Sequence, residues 1–462
     1  MHNMAPQSIF ALLITSLSFT WASLAHAEPR RDRCVVLVSI DGLAGFYLDD
    51  PNANMPTLRK LAREGARADG MICSFPTVTW PNHTTLVTGV TPAKHGVIGN
   101  NVIDRKTGNS VPFIPDPLFD KSEIVKSPTV YDVAHHAGLK TAAVIWPATR
   151  NANTLDLTVP DMAGNEAWEK YGTRPWLAEM RAAGLPVDHH GTWVASPSGG
   201  VQRDWLYVRM AAHAFQNHSP NLLLIHLVET DHVQHKFGPR SDDAYWSVSY
   251  ADDRLRELLE AIERSPLGKQ TTVFVCSDHG FYPIERDIRP NVLLRQMGLV
   301  TVEGTKTTQK TAICLSQGGG CAVYILDDAR RTEIAAQLKD QLVTIEGVDA
   351  VIMPERFAEI GQPTREENPH GADLWLSAKK GYSFADTATG DNVVAPRDSR
   401  AGTHGYLPGQ SDLHGTCVVW GAGVTPGTRL GQVSNLDIAP TMAELLGVAL
   451  PTAMGKPLKL AK

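Results

Sequence analysis

A chain of 462 residues, 43% hydrophobic and 20% charged, has ordinary globular composition and is too long for one minimal core. Its formal net charge of -6 gives no basic footprint, which argues against stable nucleic-acid binding by bulk electrostatics. Six cysteines do not make a disulfide scaffold of so long a chain, and without a Cys-x-x-Cys pair they support no thiolate zinc site.

The first residues read as an export signal. An apolar run from Ile9 to Ile14 and another from Leu17 to Leu24 end in Ala25-His26-Ala27, a small-x-small cleavage pattern, before polar Glu28-Pro29-Arg30-Arg31. The alternative is an uncleaved anchor, but Ser, Thr and His interrupt the run. The expectation is a signal peptide over 1–27 and a periplasmic or secreted product without a membrane span, although the only basic residue ahead of the run is His2.

Short apolar, β-branched runs then alternate with helical patterns. Cys34–Ile40 reads as a buried strand, and Pro56–Gly65 as a helix stopped by glycine. Asn82–Thr88 continues as a helix with Pro81 in its first turn. Thr141–Trp146, Leu222–Val228 and Thr271–Ser277 are further strands, and Arg254–Glu263 is an amphipathic helix. Thr416–Trp420 closes the series as a strand, followed by a helix at Ile438–Gly447.

This alternation implies an α/β fold with a mostly parallel central sheet covered by helices on both faces. Residues 28–462 are read as one catalytic domain. Residues 101–130 and 150–215 form an insertion near 101–215, and a second lies near 281–400; both are expected as caps over the sheet's C-terminal edge. Cys314 and Cys321 flank Leu-Ser-Gln-Gly-Gly-Gly, a turn able to close a bridged hairpin, while Cys34, Cys276 and Cys417 look like buried thiols. The His135-His136 and His189-His190 pairs match no motif and are expected at the surface.

Acids and histidines fall at the strand ends. Asp41 ends the first strand, Asp231 with His235 follows the Leu222–Val228 strand, and Asp278-His279 ends the next. Parallel strands deliver such residues to one edge, where bare carboxylates would repel one another and divalent cations would remove the conflict. Mixed Asp/His ligation suits zinc. Any one Asp at a strand end reads equally well as a cap or an ion-pair partner; three such ends together weaken that reading. Thr79 sits beside the N-terminus of the Asn82–Thr88 helix, where free N–H groups favour an alkoxide and a bound phosphate. Its ordinary alternative is an N-cap.

The ordered motifs carry a resemblance. Asp41-Gly42, Thr79-Trp80-Pro81-Asn82-His83, Val87-Thr88-Gly89, His95-Gly96 with Asn100, Asp231 with His235-Lys236-Phe237-Gly238-Pro239, Asp278-His279-Gly280 and Gly402-Thr403-His404-Gly405-Tyr406 follow one another in order. They resemble the nucleotide pyrophosphatase/phosphodiesterase family of the alkaline phosphatase superfamily. The similarity covers most of residues 34–450. It implies an alkaline-phosphatase-like fold and two zinc ions, one held by Asp41, Thr79, Asp278 and His279, the other by Asp231, His235 and His404. It further implies Thr79 as nucleophile, a phosphothreonine intermediate, and Asn100 as donor to a phosphate oxygen. His414, just before the Thr416–Trp420 strand, competes with His404 for the last ligand position.

The resemblance also implies a base clamp in nucleotide-preferring members, built from an aromatic residue after the nucleophile and a tyrosine five positions before the metal Asp. Here these positions are Trp80 and His226. Trp80 reads either as a stacking wall or as an ordinary packed aromatic. A neutral Asn100 suits a singly charged diester, so a small phosphodiester or nucleotide is the expected substrate. A cation such as Arg150 reaching the site would suit a phosphomonoesterase or phosphonate hydrolase instead. A catalytically silent binding protein on the same fold should have lost ligands that this sequence retains.

Overall fold

The computed structural model describes residues 28–113, 119–196 and 199–461; the expected signal peptide lies outside them. Among the described residues no helix is long and apolar enough to cross a membrane.

Cys34–Ile40 is buried along its whole length because it runs through the middle of an eight-stranded sheet. From edge to edge the order is Thr428–Ser434, Ala66–Ile72, Cys417–Gly421, Thr271–Cys276, Cys34–Ile40, Leu222–Leu227, Thr141–Trp146 and Leu157–Pro160. The pairings make every strand parallel to the rest except Cys417–Gly421, which runs the other way. Successive side chains of a strand point to opposite faces, and the first strand shows it. Val36, Val38 and Ile40 enter a core shared with Leu58, Leu206, Val248 and Leu255, whereas Val35 and Leu37 enter one shared with Leu86, Val130, Ile438 and Met442. Helices therefore cover both faces: Pro56–Glu64, Gly200–His218 and Asp242–Glu263 on one, Thr79–Thr88, Val130–His136 and Ile438–Leu446 on the other. The architecture is the α/β one expected.

The expected Arg254–Glu263 helix is the second half of Asp242–Glu263, which begins at a Ser241 cap. Gly200–His218, within the first stretch read as an insertion, packs on the central strands Leu222–Leu227 and Thr141–Trp146. The stretch near 281–400, read as the second insertion, has its own core. An antiparallel sheet of Ala312–Gln317, Gly320–Ile325, Leu374–Ala378 and Val348–Ile352 buries Val323, Leu374 and Leu376 against Ile334 and Leu338 of the Arg331–Leu342 helix. Beside it, Val394–Thr403 pairs with Tyr282–Ile288 and runs directly into His404.

Two expectations are corrected here. The Ala312–Ile325 hairpin exists, but its register sets Cys314 opposite Val323 and Ser316 opposite Cys321, so the two cysteines are staggered and remain thiols; all six cysteines are free and buried. Of the histidine pairs expected at the surface, His190 is buried, stacked on Trp168 at 3.8 Å and bonded to the Tyr207 hydroxyl at 2.9 Å.

This 281–400 region is joined to the loop before Thr79 at Gly405, whose N–H bonds Thr77 Oγ1 at 2.9 Å. Its φ is +98°, and a Cβ there would lie 1.8 Å from the Gln317 carbonyl oxygen. Gly405→Ala is expected to lower stability by more than about 1 kcal/mol, read by thermal melting.

Candidate active site and metal centre

The parallel strands end where the sequence places its acids. Asp41 follows Cys34–Ile40, and its N–H bonds the Leu227 carbonyl, so its position is fixed by the sheet. Asp278 and His279 follow Thr271–Cys276, and Asp278 Oδ1 accepts the Gly42 N–H at 3.1 Å. Asp231 and His235 lie one turn apart on the Glu229–Phe237 helix, with His235 Nε2 3.3 Å from Asp231 Oδ1. That helix is held at its start by buried Asp204, whose two oxygens accept the N–H groups of Val228 and Glu229.

Two donor groups result, Asp41–Asp278–His279 and Asp231–His235–His404, each with its ligand atoms within 4.8 Å of one another. They adjoin. His279 Nε2 is 3.2 Å from Asp41 Oδ1, 3.1 Å from Asp278 Oδ2 and 3.9 Å from Asp231 Oδ1, and its ring stacks on His404 at 3.6 Å. His404 Nε2 lies 3.0 Å from His235 Nε2 and 3.4 Å from Asp231 Oδ1. His414 belongs to neither group: it packs over Gly70, and its carbonyl accepts the Gly45 N–H. Geometry thus favours His404.

The donor set fits cations. Asp41 Oδ1, Asp231 Oδ1, Asp278 Oδ2 and His279 Nε2 are buried polar atoms without hydrogen-bond partners among the described residues. Such atoms are costly unless something binds them. The three histidines are also oriented for it. Nδ1 of His235, His279 and His404 donates to the carbonyls of Gly402, Gly280 and Thr77, at 3.1, 3.2 and 2.8 Å, which turns each Nε2 inward as the free ligand nitrogen. Burial, reinforced by the His279 charge, holds His404 well below the usual histidine range, in the neutral form metals bind. Against burial, Asp278 and Asp41 pull His279 well above that range.

Thr79 is the first residue of the Thr79–Thr88 helix and is buried beside this centre. The loop before it is knotted by Asn82, whose amide donates to the carbonyls of Ser74, Pro76 and Val78 and accepts the Ser74 N–H. Four residues after Thr79, on the same helical face, His83 bonds the Thr79 carbonyl at 2.8 Å and lies 3.6 Å from Asp278. Burial depresses His83 to about 3, so it stands neutral. Asn100 Oδ1 accepts the Trp80 N–H at 2.9 Å, which identifies Nδ2 as the side chain's remaining donor. A groove of about 320 Å³ opens over these groups, lined by Val78, Asn100, Gln317, Thr403, His235 and His404 among others.

Both expected base-clamp positions depart from that role. Trp80 is fully buried, stacked on Phe113 at 6.2 Å within an apolar cluster, so no face of it is open to a substrate ring. His226 is also buried: Nε2 donates to Asp41 Oδ2 at 2.9 Å and Nδ1 to the Ile145 carbonyl at 3.2 Å. Despite burial, the Asp41 carboxylate raises it to about 9, so both nitrogens carry protons and it orients Asp41. Arg150 is engaged by Asp120 at 2.7 Å and stands 3.8 Å from Glu123.

A mostly parallel sheet presenting two Asp/His groups and a helix-start hydroxyl at one edge belongs to the alkaline-phosphatase-like class. Murine ectonucleotide pyrophosphatase/phosphodiesterase 5 has this fold, with a TM-score of 0.67 over 92% of this chain and 97% of its own at 19% identity; an inactive form of it in complex with AMP superposes equally well. Residues 35–407 match the family model for type I phosphodiesterase / nucleotide pyrophosphatase, and the chain belongs to that family. Relatives include an uncharacterized pyrophosphatase/phosphodiesterase of Schizosaccharomyces pombe, 28% identical over 54% of this chain and 45% of its own length. A venom phosphodiesterase of Macrovipera lebetinus is 27% identical over 54% and 26%, and ectonucleotide pyrophosphatase/phosphodiesterase family member 3 of Rattus norvegicus is 26% identical over 56% and 27%. The match therefore spans less than half the length of these relatives.

His404→Ala is expected to remove about one equivalent of metal, read by elemental analysis of the purified protein, while His414→Ala keeps the full complement. Asp204→Ala, which orphans the buried Glu229 N–H and the half-buried Val228 N–H, should cost about 2–4 kcal/mol in urea unfolding.

Proposed function

We propose that this chain is an exported, metal-dependent phosphodiesterase/nucleotide pyrophosphatase that works through a covalent phosphothreonine at Thr79. The observation that carries the reading is the pair of Asp/His groups, with their partnerless inward atoms, set beside the start of the Thr79–Thr88 helix. Asp41, Thr79, Asp278 and His279 would hold one zinc ion, and Asp231, His235 and His404 the other. When bound, such ions lower the pKa of a coordinated hydroxyl and offset charge on a phosphoryl group.

Thr79 Oγ attacks phosphorus in line. The bond from phosphorus to the leaving oxygen breaks as the Oγ–P bond forms, and the departing alcohol or nucleotide phosphate takes up a proton. Water then cleaves the phosphothreonine, releases a phosphomonoester and restores the hydroxyl. The Asn100 Nδ2 is the side-chain donor that would meet a non-bridging oxygen. Neutral Asn100 suits a singly charged diester, and the engagement of Arg150 by Asp120 supports a diester over a monoester. The substrate class is a small phosphodiester or nucleotide, and the site of action is the periplasm or the external medium.

Bis-p-nitrophenyl phosphate should be hydrolysed faster than p-nitrophenyl phosphate, and complete zinc removal by a chelator should abolish both activities until zinc is restored. Full activity of the metal-free protein would sink the mechanism, and a strong monoester preference would replace the substrate class. Thr79→Ala should lower kcat by at least about a thousandfold; near-normal turnover would mean another nucleophile.

A further inference from the structure

We propose that Gln317 is a positioning residue that sets Asn100 for its contact with the phosphate and acts through Asn100; this rests on the reading of Asn100 given above. Gln317 ends the Ala312–Gln317 strand and is separated from Asn100 by 217 positions in sequence. It is almost wholly buried although it lines the groove. Its Oε1 accepts the Asn100 N–H at 3.0 Å, and its Nε2 donates to the Asn101 carbonyl at 3.1 Å and to the Asn101 side-chain oxygen. Both ends of the amide are thus committed to two consecutive residues, which leaves Gln317 no group for the substrate.

The effect on Asn100 is to fix it from three directions. Its N–H is held by Gln317, its carbonyl accepts the Phe113 N–H at 2.9 Å, and its Oδ1 accepts the Trp80 N–H. Only Nδ2 remains, and no described residue offers it an acceptor. Of the three anchors, Gln317 alone is a side chain; the other two are backbone groups. The anchor is itself held firmly. Gly318, at φ +75°, is so close to His404 that a Cβ there would lie 2.3 Å from the His404 carbonyl, which accepts the Gly319 N–H at 2.7 Å. The segment from Gln317 to Gly319 therefore links the backbone of a metal-ligand candidate to the phosphate donor, and a displacement of Asn100 by about 1 Å is enough to cost two decades in rate.

The test is a double-mutant cycle on the zinc-loaded enzyme with bis-p-nitrophenyl phosphate, accompanied by bound-metal content and melting temperature. Gln317→Met, which keeps length and removes both hydrogen-bonding ends, should lower kcat/KM by about ten- to a hundredfold, with metal content unchanged. In combination with Asn100→Ala it should add no further loss beyond about twofold, because a residue that acts through another has nothing left to position. Asn101→Ala, a milder disturbance of the same anchor, should show a smaller loss that is likewise absent in the Asn100→Ala background, and decides the matter if Gln317→Met does not fold. Multiplying losses, normal activity of the Gln317 variant, or a loss that tracks missing metal would each overturn the proposal while leaving the reading of Asn100 intact. A fully active Asn100→Ala enzyme would instead overturn the reading of Asn100, and the proposal with it.

Discussion

Like charges held close together in a buried place set the terms for this molecule. Asp41, Asp231 and Asp278 converge around His279, all within 3.9 Å of one imidazole nitrogen. Carboxylates so arranged repel, and withdrawal from water makes the repulsion stronger. The fold answers by rigidity. Asp41 and Asp278 ride on adjacent, fully buried parallel strands that cannot splay, and Asp231 rides on a helix whose start is fixed by Asp204. Positive charge on His226 balances part of the field, and divalent cations suit the remainder.

The histidines show how little of this rests on the ligand atoms themselves. Each of His235, His279 and His404 is turned by a main-chain carbonyl, so ring orientation depends on loop backbone rather than on a second side chain. His404 shows the reach of that dependence: its carbonyl partner, Thr77, belongs to the loop knotted by Asn82 just ahead of Thr79. Thr79 and the distant His404 are therefore adjusted to one another through a shared stretch of backbone.

Much of this was legible in the sequence. Strands buried on both faces are near-continuous apolar runs, and an acid directly after such a run is conspicuous; hence Asp41, Asp231, Asp278 and His279 could be read, and so could the helix start at Thr79. Direction was not legible. Nothing in the Cys417–Gly421 pattern says that it runs against its neighbours, yet that reversal brings His414, at the strand's beginning, to the edge where the other strands end. Exposure was not legible either. Trp80 looks like a stacking surface until Phe113 covers it, and His226 looks like half of a clamp until the parallel register, which sets it beside Ser39, brings it to Asp41. Asp204 and Gln317 matter through partners 24 and 217 positions away, and no local pattern announces such pairings.

The order in which the candidate ligands occur along the chain has a consequence for how the protein comes into being. The first donor is Asp41 and the last is His404, which is carried in on a strand of a region with its own hydrophobic core. Contacts of such separation form late and slowly, because so much chain must be closed into loops before any of them is rewarded. A nascent chain that stops short of residue 404 has an incomplete Asp231–His235 group and nothing to seat the Thr77 carbonyl. On the proposed reading, high-affinity metal capture would await the finished molecule.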